Sequence, residues 1–157
     1  MGAATDPAVR RAGVADADVI GRLLHDFNTE YDEPTPGPGA VATRVRELLE
    51  AGEITVLLVG AEPAGLAVLR FRPALWGEAL ASYLEELYVV PDRRGQGLGR
   101  ALMNAVIEVA RGEGATYMDL NTAEDDVAAR ALYESLGFDN RGGRPDGAIN
   151  YYYEREL

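Results

Sequence analysis

The chain has no cysteine among its 157 residues and one histidine, His25. That excludes a disulfide framework, a thiolate nucleophile and a zinc cluster of cysteines and histidines, and no metal is expected. No apolar run approaches the ~20 residues that a bilayer-spanning helix needs. The opening, "MGAATDPAVRRAGVADAD", lacks the apolar stretch of a secretory signal. Gly2 is followed by Asp6 where a myristoylation signal wants Ser or Thr. Positive charge is also short: 15 basic side chains stand against 26 acidic ones, a net charge of -11. Such a chain repels nucleic acid and anionic membrane overall and attracts small cations. From these absences a cytoplasmic protein, held together by its core, is expected.

The length fits one domain, residues 1–157. "PAVRRAG" reads as a first strand. "DADVIGRLLHDFN" reads as a helix with Asp16 as N-cap and Val19, Ile20, Leu23, Leu24 and Phe27 at helical spacing. "TEYDEPTPGPG" is an acidic loop rich in proline and glycine. "AVATRVRELLEAG" is a second helix. "EITVLLVGAEPAGLAVLRFRP" is two strands about a turn at Glu62–Gly65, and "ALASYLEELYVV" is a fourth strand. A helix from Leu98 carries Leu98, Leu102, Ala105 and Val109 on one face. "ATYMDLNT" is a fifth strand. "EDDVAARALYESLGF" is a helix with Gly137 as its C-cap, and "AINYYYEREL" is a closing strand.

Between the fourth strand and the next helix lies "VVPDRRGQGLGRALM". A helix N-terminus carries unpaired N–H groups and a positive dipole end, and phosphates bind there. Gly95, Gly97 and Gly99 allow close approach to the main chain, and Arg93, Arg94 and Arg100 add positive charge. A nucleotide P-loop needs Gly-Lys and then Ser or Thr, whereas Gly99 precedes Arg100 and Ala101. A dinucleotide fingerprint would need glycine at position 100, which is arginine. Both fail.

The stretch resembles the acetyl-coenzyme A loop of the GNAT acetyltransferase superfamily, with Arg94, Gly97 and Gly99 at the defined positions of Arg/Gln-x-x-Gly-x-Gly/Ala. "AARALYESLGF" is similar to the family's second signature, and "VRRAGVADADVIGRLL" to its usual start. The resemblance covers nearly the whole chain and implies an α/β (α+β) fold with a mixed central sheet of about six to seven strands and about four flanking helices. It implies acetyl transfer from acetyl-coenzyme A to an amine. The backbone N–H groups of Gly95, Gln96, Gly97, Leu98, Gly99 and Arg100 would meet the cofactor pyrophosphate. Leu87, Tyr88 and Val89 would bond to the pantetheine arm as to an added strand.

The same resemblance gives Tyr133 the role of acid toward the departing thiolate. Asp126, Ala129 and Tyr133 share one helix face, where Ala129 leaves room for a ligand chain. Asp126 departs from the family's usual asparagine; as an acceptor it would take a pantetheine N–H, with Arg130 offsetting its charge. Asn121 would face the acetyl region. Glu85 and Glu86 are candidate bases, and strand alternation sends them to opposite faces. "YLEELYVVP" resembles spermidine/spermine acetyltransferases, which selects Glu85, acting through water. The acidic loop, with Tyr31, Asp32 and Glu33, and Trp76 as an aromatic face, would hold a small cationic amine. The partner expected is that small molecule, with a homodimer left open. Two rival readings are a non-catalytic acyl-coenzyme A binding module and a protein N-terminal or lysine acetyltransferase.

Overall fold

The computed structural model describes residues 7–157; Gly2 and Asp6 lie outside them. The described residues fall into two compact units, one ending at Leu120 and one running Asn121–Leu157. The first unit holds β1 (Val9–Arg11), α1 (Ala17–Glu30), α2 (Pro38–Glu50), β2 (Thr55–Val59), β3 (Gly65–Pro73), β4 (Leu80–Val89), α3 (Leu98–Gly112) and β5 (Ala115–Asp119). The sheet order is β1-β2-β3-β4-β5. The first four strands pair antiparallel, β1 with β2 across the two helices and β2–β3 and β3–β4 through short turns, and β5 lies parallel to β4. A parallel neighbour needs a crossover, and α3 supplies it.

β2 reads TVLLV and is buried at every position, because helices cover both of its faces. On one face Val56, Leu58, Leu66, Val68 and Tyr88 pack with Ile20 and Leu23 of α1 and Val45 of α2. Residues that alternate with these, such as Leu57 and Leu69, face the side where α3 lies over β2 and β3. The buried stripe of α3 is Leu98, Leu102, Met103, Val106 and Ala110. It is therefore turned slightly from the expected face, with Ala105 and Val109 at its margin. α1 and α2 meet through Gly21: a Cβ there would lie 2.6 Å from the Ala42 nitrogen, so only glycine permits the crossing.

The class is the expected α+β with a mixed sheet, but among the described residues the sheet has five strands rather than six to seven. The expected closing strand, "AINYYYEREL", forms no ladder in the described residues. A strand must find a partner for its N–H and C=O groups. The preceding stretch is spent on turns instead: Asp139 accepts the N–H groups of Arg141 and Gly143, and Gly142 and Gly143 have φ of 65° and 73°. One backbone bond, Asn150 N–H to the Asn140 carbonyl at 2.7 Å, ties the segment back. Its three tyrosines, 151 to 153, stay exposed. Asp16 stands at the N-cap position of α1, but its carboxylate does not cap that helix. It accepts the Gly13 N–H at 2.8 Å and both Nη atoms of Arg10 at 2.7 and 2.9 Å.

Candidate active site

The glycine loop begins where β4 ends. Val90 N–H bonds back to the Ala64 carbonyl, and a short 3₁₀ turn from Pro91 to Arg93 reverses the chain. Gly95 and Gly97 then take left-handed φ of 73° and 81°, which side chains resist, and α3 starts at Leu98. The first bond across the helix start runs from Ala101 N–H to the Gly97 carbonyl at 3.0 Å. The N–H groups of Leu98 and Gly99, ahead of that bond, therefore have no partner within the helix, at its positive end. A Cβ at Gly95 or Gly97 would meet nothing within 4 Å, so the surface above the loop is open. Gly99 lies inside the first helical turn; what it contributes is a missing side chain. These features fit a diphosphate.

Arg94 is tied down. Its Nε donates to the Val89 carbonyl at 2.9 Å and its Nη2 to Glu30 Oε2 at 2.6 Å. Its guanidinium lies 5.7 Å from the Tyr88 ring centroid. Tyr88 stacks on Phe27 at 4.9 Å, and Phe27 meets Tyr31 edge-on at 5.3 Å. Arg94 thus joins the loop to the last turn of α1. Nothing in the sequence pattern marks Glu30 for this, because the two residues are 64 positions apart.

The pairing of β4 with β5 ends at Tyr83↔Asp119, although β4 continues to Val89. Among the described residues, Leu84–Val89, including Leu87, Tyr88 and Val89, are thus bordered within the sheet by β3 alone. A bulge lies at the same place. Val68 pairs with Glu86 while Leu69 pairs with Leu84, so Glu85 is an extra residue on β4. This overturns the expected alternation. Glu86 shares the face of Val68, and Glu85 turns its Oε2 to Arg70 Nε at 2.6 Å; Arg70 lies two residues along β3 on that same face. Both carboxylates therefore serve one side of the sheet. Glu86 is half-buried, and burial first, then the charge of Glu85, push its carboxyl up to about 7.

The acidic loop between α1 and α2 is held from beneath. Asn28 Nδ2 donates to the Pro34 carbonyl at 3.0 Å, the Asn28 carbonyl accepts Glu33 N–H at 2.8 Å, and His25 Nδ1 lies 3.1 Å from Thr35 Oγ1. α1 runs two residues further than expected, through Glu30, and Asp32 has φ 56°. Tyr31, Asp32 and Glu33 are exposed on this loop. Trp76 is not brought to them. It lies 95% exposed on the turn before β4, whereas the acidic loop joins the other end of that strand through Glu30 and Arg94. Ten residues of β4 separate the two ends, roughly 33 Å.

In the second unit, α4 (Val127–Ser135) carries Tyr133. Asp126 is its N-cap, with the side chain accepting Ala129 N–H at 3.1 Å. That is a structural use for the carboxylate at the position where the family has asparagine. Arg130 does not offset it: Nη1 donates to the Glu124 carbonyl and Nη2 lies 3.9 Å from Glu134. At the other end Gly137, φ 90°, sends its N–H to the Glu134 carbonyl, and Phe138 N–H reaches the Tyr133 carbonyl. This is a Schellman cap, and its usual apolar contact is Tyr133 against Phe138, 6.1 Å between centroids. Tyr133 is 8% exposed; burial, and then the charge of Asp126, push its hydroxyl up to about 12, so it keeps its proton at neutral pH. Asn121 opens this unit, just past β5.

Comparison with known proteins gives the class. The sequence model of the acetyltransferase (GNAT) family matches residues 20–138, and the chain belongs to that family. It is an acyltransferase, and its family generally uses acetyl-coenzyme A as co-substrate. A crystal structure of an acetyltransferase candidate from Arthrobacter sp. FB24 is similar at 43% identity, covering 100% of this chain and 99% of that one, with a TM-score of 0.88. The aminoglycoside N(6')-acetyltransferase type 1 of Stenotrophomonas maltophilia is 29% identical over 87% of this chain and 88% of its own length. The thialysine N-epsilon-acetyltransferase of Caenorhabditis elegans is 25% identical over 79% of this chain and 78% of its own length.

Proposed function

We propose that this acyltransferase moves the acetyl group of acetyl-coenzyme A to a primary amine of a small cationic compound, by direct attack in a ternary complex. The observation that carries this is the shape of β4. It runs six residues beyond its last β5 partner and leads directly into a loop with open helix N–H groups. An amide-bearing pantetheine arm suits that edge as an added strand along Leu87–Val89, and a diphosphate suits the loop. The acidic loop supports the cationic acceptor, with Asp32 and Glu33 presented on an anchored turn of a chain whose net charge is -11. Relatives named for thialysine and aminoglycosides point to the same kind of amine. The basic residues of this chain are all arginine, so a side-chain amine that attacks belongs to another molecule.

In this reading a carboxylate of the β4 bulge, Glu85 by the family resemblance, takes one proton from the acceptor ammonium. The nitrogen lone pair attacks the thioester carbonyl carbon, the C–N bond forms and the C–S bond breaks. Tyr133 gives its proton to the leaving sulfur and regains one from the nitrogen. The net products are the acetamide, the free thiol and one proton.

The test is thiol release with a panel of amines, beside melting curves with acetyl-coenzyme A. Cationic diamines are expected to react faster than neutral or acidic amines, with rising salt weakening them most. Acetyl-coenzyme A is expected to raise Tm. Asp32→Asn with Glu33→Gln is expected to raise KM for the diamine while leaving that for acetyl-coenzyme A nearly unchanged. Stabilisation by NADH or ATP in place of acetyl-coenzyme A would overturn the cofactor. A preference for acidic amines would overturn the acceptor class, and a Tm rise with no thiol release would leave a binding module.

A further inference from the structure

Resting on the acetyl-transfer reading above, we infer that Glu86, and not the Glu85 selected by family resemblance, takes the proton from the acceptor ammonium. Glu85 serves beside it as a fixed charge held by Arg70.

Three observations lead there. The first is position. The last β4–β5 pair is Tyr83↔Asp119, so Glu85 and Glu86 stand within three residues of the point where the two strands part. The second is commitment. Glu85 Oε2 lies 2.6 Å from Arg70 Nε, and Arg70 Nη1 also reaches the Glu53 carbonyl at 3.5 Å. Protonating Glu85 would remove the charge from its charge-assisted hydrogen bond with Arg70, which is a poor property in a group that must gain and lose a proton each cycle. The third is the bulge itself. Strict alternation would have put the two carboxylates back to back, with Glu85 acting on Glu86 only through the sheet. The extra residue brings them to one side, where Glu85 acts directly on Glu86 as a like charge. Burial and that charge give Glu86 an affinity for protons near neutrality, which suits a general base.

Several other groups share its side of the sheet. Arg70 of β3 and Tyr83 of β4 pair across the strands. Asp26 and Glu30 of α1, Tyr31 just after that helix, and Arg94 act on Tyr88, two residues beyond Glu86.

The experiment measures kcat/KM against pH for wild type, Glu85→Gln and Glu86→Gln, with acetyl-coenzyme A and a cationic diamine. In wild type the rate is expected to rise through an acid limb near pH 7. Glu86→Gln is expected to remove that limb and lower kcat/KM roughly 10²–10⁴-fold at neutral pH. Glu85→Gln is expected to keep the limb and move it to lower pH, because a like charge has been removed. Melting curves give a second readout that needs no catalysis. A carboxyl whose folded pKa is raised from 4.5 to about 7 makes stability fall as pH rises across that window, and Glu86→Gln removes this fall.

A Glu86→Gln enzyme that keeps its rate and limb would overturn the inference, as would loss of the limb in Glu85→Gln. The second outcome can be read even where Glu86→Gln fails to fold. Both results leave the acetyltransferase reading standing. Absence of thiol release from wild type with every amine would overturn both.

Discussion

From Leu80 to Tyr83, strand β4 is bordered by β3 on one edge and β5 on the other; from Leu84 to Val89, β3 is its only neighbour in the sheet among the described residues. The first stretch is structural. Ala81 and Ser82 are buried, and the Ser82 hydroxyl donates to the Tyr117 carbonyl at 2.9 Å. The second stretch holds the bulge, the two carboxylates and the residue that feeds the glycine loop. One strand therefore does two jobs, and the boundary between them is set by length: β5 has five residues and β4 has ten. Where the shorter neighbour stops, backbone hydrogen-bonding groups become available to something other than the sheet.

The comparison can be broken or sharpened by four substitutions, in falling order of effect. Gly97→Val acts on the loop that the second stretch enters. A β-branched residue at φ 81° is strained and covers the open surface, so both thiol release and the Tm rise with acetyl-coenzyme A are expected to vanish. A retained Tm rise would detach cofactor binding from this loop. Tyr133→Phe is expected to lower turnover roughly 10²–10⁴-fold while preserving the Tm rise. Wild-type turnover would remove the proposed acid.

Ser82→Ala acts on the doubly bordered stretch. Leaving the Tyr117 carbonyl without its donor is expected to cost about 1–3 kcal/mol, at about 2–4 °C of Tm per kcal/mol, with kcat/KM unchanged. If kcat/KM collapses instead, the two stretches are not separable. The smallest effect is a control at the start of α1, about 21 Å along that helix from Glu30. Arg10 and then Gly13 N–H lower the Asp16 carboxyl from 3.8 to about 2. Its contribution is therefore present above pH 3.8 and lost as pH falls through about 2. The Tm gap between wild type and Asp16→Asn should close over that window, with the acetyl-coenzyme A response intact. A gap that stays constant would mean the pair does not act through charge.

What the sequence showed and what it hid divide along a physical line. Continuous apolar runs, helical periodicity and glycines before a helix are local signals, so β2, α1, the loop and α4 could all be read from them. The bulge at Glu85 is a matter of register between strands, and alternation within β4 contained no mark of it. Arg70–Glu85 and Arg94–Glu30 join positions 15 and 64 apart, which no local pattern encodes. The last strand failed for the same reason: its alternation is real, but a strand is made by its partner. Trp76 was expected to give the acidic loop's ligand an aromatic face, but the β3–β4 turn holds it at the other end of β4.

The cap of α4 makes the spacing within "YESLGF" a ruler. Tyr133 is the residue whose carbonyl receives Phe138, and Gly137 is the single left-handed step between them. Each residue of helix advances about 100° around the axis. One residue inserted between Tyr133 and Gly137 would leave the cap intact but hand it a different third residue from the end. Tyr133 would then point about 100° away from Phe138. The signature can tolerate changes of letter at Glu134, Ser135 and Leu136 far more easily than a change of count.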